Sequence, residues 1–477
     1  MTILPLHPAN NASPDALRGF LQQCQAAAKR KQHAQLVSIS LAVDALDPLA
    51  VLESIFEPGE PHFYTERPGI DSAIAGAEVA TGFAAEGAQR FADVQRWIDD
   101  TLDHTIAVGD VSAPFGGPHF FAAFAFEDQV PAEEPFAAAY AFVPNWQVAL
   151  AGSTTTAVAN LLVPPDGALE PLVERIWRAH AKFRKFEFAE TNGTARREPG
   201  GAATAASWQF HEVGDYRGAV ARGLELIAGG ELRKVVLARA VDVTADRPLH
   251  PLQMLNRLRQ RYPDCYSFSF TAGRGRSFIG ATPERLVRVS HGVLETEALA
   301  GSIRRGATAS EDAGLASALL RSEKDLREQR AVLDDIVSRL APLGLQPEFP
   351  AQPQIRRLAN VQHLQTPIRA KLSESVRVLD VVAALHPTPA VGGLPREPAL
   401  RRIRELEGFS RGLYAGTLGW LNARGGGEFF VGIRSAVVEG NRARVYAGAG
   451  IVAGSTPEKE FAETELKARA MLDAFQD

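Results

Sequence analysis

The sequence predicts an α+β protein built from large mixed, mainly antiparallel sheets with flanking helices. Of the 477 residues, 45% are hydrophobic, enough for a large buried core. The strand-like runs are joined by short turns, as hairpins are, and do not alternate one for one with helices. That pattern opposes a doubly wound parallel sheet. No repeat of solenoid or propeller period is present.

The N-terminal part, residues 1–205, mixes helices with short strand-like runs at Gln35–Val43, His119–Phe126 and Ala137–Leu150. Thr191–Ala206 is small, polar and glycine-rich, and reads as an exposed loop leading into residues 206–477. The two parts are expected to form one integrated structural domain, the first completing the sheets of the second. Tyr216–Ile227 is an amphipathic helix stopped by Gly229 and Gly230, followed by a strand at Lys234–Val243. Cys265–Thr271 alternates aromatic and small residues with the period of two of a half-buried strand, which makes Tyr266, Phe268 and Phe270 core aromatics. Glu284–Ser290, a His291-Gly292 turn and Val293–Glu297 form a hairpin. Glu311–Leu343 is helical with a break near Gly314. Thr417–Leu421, Phe429–Val438 and Arg442–Ala447 are three strands, and Ser455-Thr456-Pro457 starts the last helix with a cap and an N1 proline.

Composition removes several functions. The formal net charge is −5 with no basic block, so neither nucleic acid nor an anionic membrane is an expected partner. The two cysteines, Cys24 and Cys265, are far apart and outside any metal-ligand spacing, which fits a reducing compartment. No signal peptide or run of membrane-spanning length is visible, so the chain reads as cytoplasmic.

The residues able to carry chemistry are individually ambiguous. Lys234 in KVVLAR shares a strand face with Val236 and Ala238. It is either an edge charge that snorkels to water or a desolvated lysine able to act as a base. Glu284 in GATPERL follows a Thr-Pro turn and by itself reads as a solvated carboxylate. Glu460, Glu463 and Lys467 share one face of the last helix, and Asp325 and Glu328 are spaced i,i+3 on another. These are surface ion pairs, or carboxylates offering oxygen to Mg²⁺. The run GAGIVAG, Gly448 to Gly454, lacks the dinucleotide spacing and follows a β-meander, which opposes a nucleotide-dependent oxidoreductase. Its glycines are expected to let backbone N–H groups approach an anion. Arg434 in FFVGIRS, on the strand face of Phe430 and Gly432, is suited to gripping a carboxylate. His363 and His386 read as core or cap histidines, and no nucleophile elbow is present.

In order, KVVLAR, FIGATPERL, LAGSIRR, SEKDLREQR, VQHLQTP, LHPTPAVGG, YAGTLGW, FFVGIRSAV, YAGAGIVAGSTPEKE and ETELK resemble the chorismate-utilising enzyme family, over roughly half the chain. The likeness continues more weakly upstream through HFYTERP, GAQRF and FFAAFAFED. The resemblance implies that Lys234 is the general base that activates water for attack at C2 of chorismate. It implies that Glu284 is the general acid for the departing C4 hydroxyl. Glu328 and Glu463 match the carboxylates that hold Mg²⁺, with Asp325 and Glu460 acting through its waters. Gly301, Ser302, Arg434 and the backbone of Gly448, Ala449 and Gly450 match the groups around the substrate carboxylates. Lys467 matches a lysine beside the metal, and His363 the histidine near the ring.

Ala390 matches the alanine of the isochorismate-forming members, where ammonia-using and salicylate-forming relatives carry threonine. The resemblance therefore implies reversible conversion of chorismate to isochorismate, by a monomer, for menaquinone or for siderophore or salicylate biosynthesis. The alternatives are a salicylate synthase or an ammonia-dependent anthranilate or aminodeoxychorismate synthase component. Val391 and Tyr414 depart from the common isochorismate-synthase residues near that pocket.

Overall fold

The computed structural model describes residues 1–4, 13–55, 59–177, 207–358 and 361–476. The loop expected at Thr191–Ala206 lies outside the described residues. Two sheets of 14 and 9 strands make up the α+β frame that the sequence predicts. Pairing is antiparallel except where Thr105–Gly109 runs parallel to Thr2–Leu4 and to Gln35–Val43. Strands from both parts of the chain enter both sheets. His62–Arg67 pairs with Tyr266–Thr271 in the larger sheet, and His119–Phe124 pairs with Thr417–Asn422 in the smaller.

Apolar alternation decides how the sheets meet. Tyr266, Phe268 and Phe270 join Phe63 and Phe278 of the larger sheet, and Phe121, Leu418 and Phe430 of the smaller, in one core. The Phe63 and Phe121 rings stack at 4.5 Å and those of Phe268 and Phe430 lie 5.0 Å apart, so aromatic pairs bridge the sheets. Pro251–Arg261 and Pro457–Gln476 pack their apolar stripes on Val241, Ile279 and Val445 of the larger sheet.

Three sequence expectations change. Ala137–Leu150 is two strands, Ala139–Val143 in the smaller sheet and Trp146–Ala151 in the larger, with Pro144 between them. The helical stretch at 311–343 breaks at Ser322, not near Gly314, giving Ala309–Arg321 and Glu323–Leu340. Ser322 is extended and its hydroxyl accepts from the Asp325 N–H, so it caps the second helix. Gly314 stays helical at the modest cost of a glycine. Phe429–Val438 is likewise two strands, Gly427–Val431 in the smaller sheet and Ser435–Glu439 in the larger. The chain changes sheet at Gly432–Arg434, where Arg434 adopts a left-handed φ of 51°. Arg434 therefore does not share a strand face with Phe430.

Candidate active site

Two crossings between the sheets meet at the site. Arg276–Thr282 belongs to the larger sheet and Arg285–Ser290 to the smaller, so the chain crosses at Pro283-Glu284. Pro283 has no N–H to continue the ladder, and the Glu284 N–H turns back to the Thr282 hydroxyl at 3.2 Å. This crossing is tied to the one at Arg434: Ala281 N–H donates to the Arg434 carbonyl at 3.1 Å, and Val431 N–H to the Glu284 carbonyl at 3.0 Å. Backbone bonds thus fix Glu284 and Arg434 relative to each other.

The remaining groups arrive from neighbouring elements. Lys234 opens the strand Lys234–Ala245, whose partner Arg442–Ile451 places Gly450 opposite Val236 and Gly448 opposite Ala238. Gly448 and Gly450 are therefore strand residues and not part of a loop. A Cβ on Gly450 would lie 3.2 Å from Lys234 Cε, and one on Gly448 would lie 2.7 Å from Tyr414 Oη. The glycines make room for those side chains. Ala449 points to the opposite face, where it is buried, and does not line the cavity. In Val293–Arg304 the register slips between Ala300 and Ser302, with Gly301 at φ 72°. This bulge sets Ser302 Oγ 2.7 Å from His363 Nδ1.

Together these elements enclose a cavity of about 210 Å³. It is lined by Lys234, Glu284, Gly301, Ser302, Asp325, Glu328, His363, Ala390, Arg434, Gly448, Gly450, Glu460, Glu463 and Lys467, every sequence-predicted residue except Ala449. A larger open cleft of about 970 Å³, beside Arg276 and Arg444, contains none of them.

Burial and charge set the electrostatics. Burial, reinforced by the nearby Glu297 carboxylate, pushes Glu284 up to about 7 against the pull of Lys234. The Thr388 hydroxyl lies 3.5 Å from its Oε1. Burial, then Arg434 and Lys467, lower His363 to about 3, so its ring is neutral. Its Nε2 is buried without a partner among the described residues. Lys234 Nζ donates to Glu328 Oε1 at 2.7 Å. Burial works to raise Glu328, but the charge and hydrogen bond of Lys234 outweigh it and the net shift is downward. Lys467 Nζ lies 2.6 Å from Glu463 Oε1 and 2.9 Å from the Gly448 carbonyl. Burial and the neighbouring Glu463 raise Glu460. Arg434 makes no ion pair among the described residues, which leaves its guanidinium for a carboxylate from outside.

The carboxylate set suits a small hard cation. Glu328 and Asp325 stand on the helix Glu323–Leu340, and Glu460 and Glu463 on Pro457–Gln476, all offering oxygen to one cavity. Among the described residues no three of them bring an oxygen each within 4.8 Å of one another.

Residues 20–476 match the family model described as chorismate binding enzyme. The chain belongs to the chorismate binding enzyme family. This enzyme is 36% identical over 468 residues to the salicylate biosynthesis isochorismate synthase of Pseudomonas aeruginosa, covering 96% of this chain and 94% of that one. It is 32% identical over 464 residues to the isochorismate synthase MenF of Bacillus subtilis, covering 94% and 95%. The solved structure of MenF, the menaquinone-specific isochorismate synthase from Escherichia coli, superposes with a TM-score of 0.75 at 28% identity, covering 95% of this chain and all of that one.

Sequence reasoning missed Lys324, a further cation on the cavity wall, and the pair Glu407–Arg411 behind it. Arg411 is 3% exposed and donates to the carbonyls of Val236 and Val391, at 2.8 Å each, while Glu407 Oε1 accepts from the Ala238 N–H at 2.6 Å. Val236 and Val391 both line the cavity, so this buried pair joins the strand of Lys234 to the segment of Ala390. In the sequence the two charges have the i,i+4 spacing of an ordinary surface pair, and only burial distinguishes them.

Proposed function

We propose that this chain is an isochorismate synthase that converts chorismate to isochorismate. The observation that carries the reading is a buried carboxyl, Glu284, held near neutrality in the same small cavity as Lys234, with Ala390 in the wall. Substrate and product are isomers, so the chemistry is one addition and one departure. Lys234 takes a proton from water as the water oxygen bonds to C2. The ring double bond migrates, the C4–oxygen bond breaks, and the proton of Glu284 goes to the departing hydroxyl, which leaves as water. Because one acid–base pair serves both ends, the reaction runs in either direction.

Chorismate is a dianion and needs paired positive charge. Arg434 is the proposed grip for the enolpyruvyl carboxylate; it lines the cavity together with Ser302, Gly301, Gly448 and Gly450, which supports the reading. Glu328 and Glu463 are the proposed holders of Mg²⁺, with Asp325 and Glu460 behind its waters. When bound, the ion supplies charge for the ring carboxylate and fixes the ring's orientation. To act as base, Lys234 turns the amine lone pair to the water, and a remaining N–H can stay on Glu328. His363, held neutral, presents Nε2 to the ring as a hydrogen-bonding group.

No helix among the described residues is long and apolar enough to cross a membrane, and we propose a cytoplasmic monomer. The proposed product enters menaquinone biosynthesis or the making of salicylate, the routes in the names of two similar proteins, or the making of a siderophore. The test of the metal is turnover of chorismate by the purified chain before and after chelation. Isochorismate formation that stops with EDTA and returns with Mg²⁺ is the expected result. Unchanged turnover in metal-free buffer removes Glu328 and Glu463 as ligands.

A further inference from the structure

The N-terminal part carries a second cluster of metal-ligating groups, well separated in sequence from the cavity residues. His33 lies in the turn between the helix Pro14–Lys31 and the strand Gln35–Val43, and Asp100 and His104 close the helix Arg90–Asp103 at i,i+4 spacing. One ligand atom from each of the three lies within 4.8 Å of the others. The two rings face each other with centroids 3.7 Å apart and planes 23° from parallel.

We propose that His33, Asp100 and His104 form a binding site for a divalent transition ion of the zinc class, which clamps these two connections together. Three observations carry it. First, each imidazole has its Nδ1 committed to a backbone carbonyl, His33 to Ala34 and His104 to Asp100, both at 2.8 Å. With Nδ1–H donating, Nε2 is left as the ligand atom of each ring. Histidine ligands of metals commonly have their other ring nitrogen held in this way. Second, the donor set of two imidazoles and one carboxylate matches the preference of borderline ions over Mg²⁺. Third, Asp100 and His104 stand at the C-terminal end of their helix, where the backbone dipole favours a cation.

Sharing one ion in the plane of both imidazoles requires a ring to turn out of the stack. His33 is the exposed one, and in turning it gives up its bond to Ala34 while His104 keeps its bond to the Asp100 carbonyl. His33 and Asp100 are exposed and His104 is half-buried, so no core packing opposes the movement. The clamp would act where it is useful. His104 carbonyl accepts from Leu36 N–H at 2.9 Å, and Leu36 is in register with Thr105 in the parallel pair near the edge of the larger sheet.

Equilibrium dialysis of the full chain against zinc chloride, in excess Mg²⁺, tests this, with His33→Ala, His104→Ala and Glu328→Gln alongside. Wild type and Glu328→Gln are expected to bind one equivalent and to gain a few degrees of thermal stability with zinc. Each histidine variant is expected to bind about 10- to 100-fold more weakly, at least the cost of losing an outer partner of a metal ligand. Zinc binding unchanged in either histidine variant, lost in Glu328→Gln, or absent from wild type overturns the proposal.

Discussion

Glu284 shows how one residue's surroundings decide its chemistry. Exposed at the end of a turn, a glutamate is ionised at neutral pH; here it is 8% exposed, near Glu297 and opposed only in part by Lys234. Its folded pKa, about 7, lies above that of an unfolded glutamate, so it favours the fold fully at low pH. That contribution is lost as pH rises through about 7, because the folded chain must then ionise a buried carboxyl. Glu284→Gln is therefore expected to be more stable than wild type at pH 8, by up to roughly 3 kcal/mol, and no more stable at pH 4, by thermal or urea denaturation. The same variant and Lys234→Ala are expected to lose on the order of 10²- to 10⁴-fold in turnover while folding normally. In wild type kcat/KM is expected to fall above about pH 7 as the acid ionises. Near-wild-type turnover by either variant removes the role given to that residue.

The elements contribute by what they keep apart as much as by what they join. Gly450 leaves room for the Lys234 side chain, and an added methyl would press on the flexible end of the lysine and on no backbone. Gly450→Ala is accordingly expected to fold with nearly wild-type stability and to lose up to about 100-fold in turnover, since small misplacements cost that much. Unchanged turnover would show that Lys234 needs no such clearance. The Glu407–Arg411 pair holds two walls of the cavity, and removing one partner leaves a buried charge. Arg411→Met is expected to cost about 3–5 kcal/mol, read from the urea midpoint. A loss near zero would mean that the pair is relaxed by water.

The composition of the site was legible because its motifs are short, ordered and rich in glycine and charge. Fourteen of the predicted residues line one cavity. What was not legible depends on tertiary context. The sheet change at Gly432–Arg434 lies inside a run that alternates like one continuous strand, and Ser322 outcompeted Gly314 as the helix break by capping. Strand alternation turns the Ala449 side chain away from the cavity, which leaves only its backbone for the role the resemblance implies.

At the scale of the molecule, the fold is two sheets that exchange chain at the site. Glu284 and Arg434 sit at crossings, Lys234 on a strand of the larger sheet, and the carboxylates on helices of both the interior and the C-terminal end of the chain. Residues 1–177 take part through strands that extend both sheets and through the aromatic layer between them, in which Phe63 and Phe121 stack. Under the proposed function, the product is expected to rest on the few side chains of the wall, Ala390 foremost.

Proton NMR of the purified chain incubated with chorismate and Mg²⁺, without ammonia, tests the central claim most directly, because isochorismate and chorismate have the same mass. The account predicts isochorismate signals that grow to a stable mixture with chorismate. Salicylate with pyruvate, or no change until ammonia is added, would contradict it.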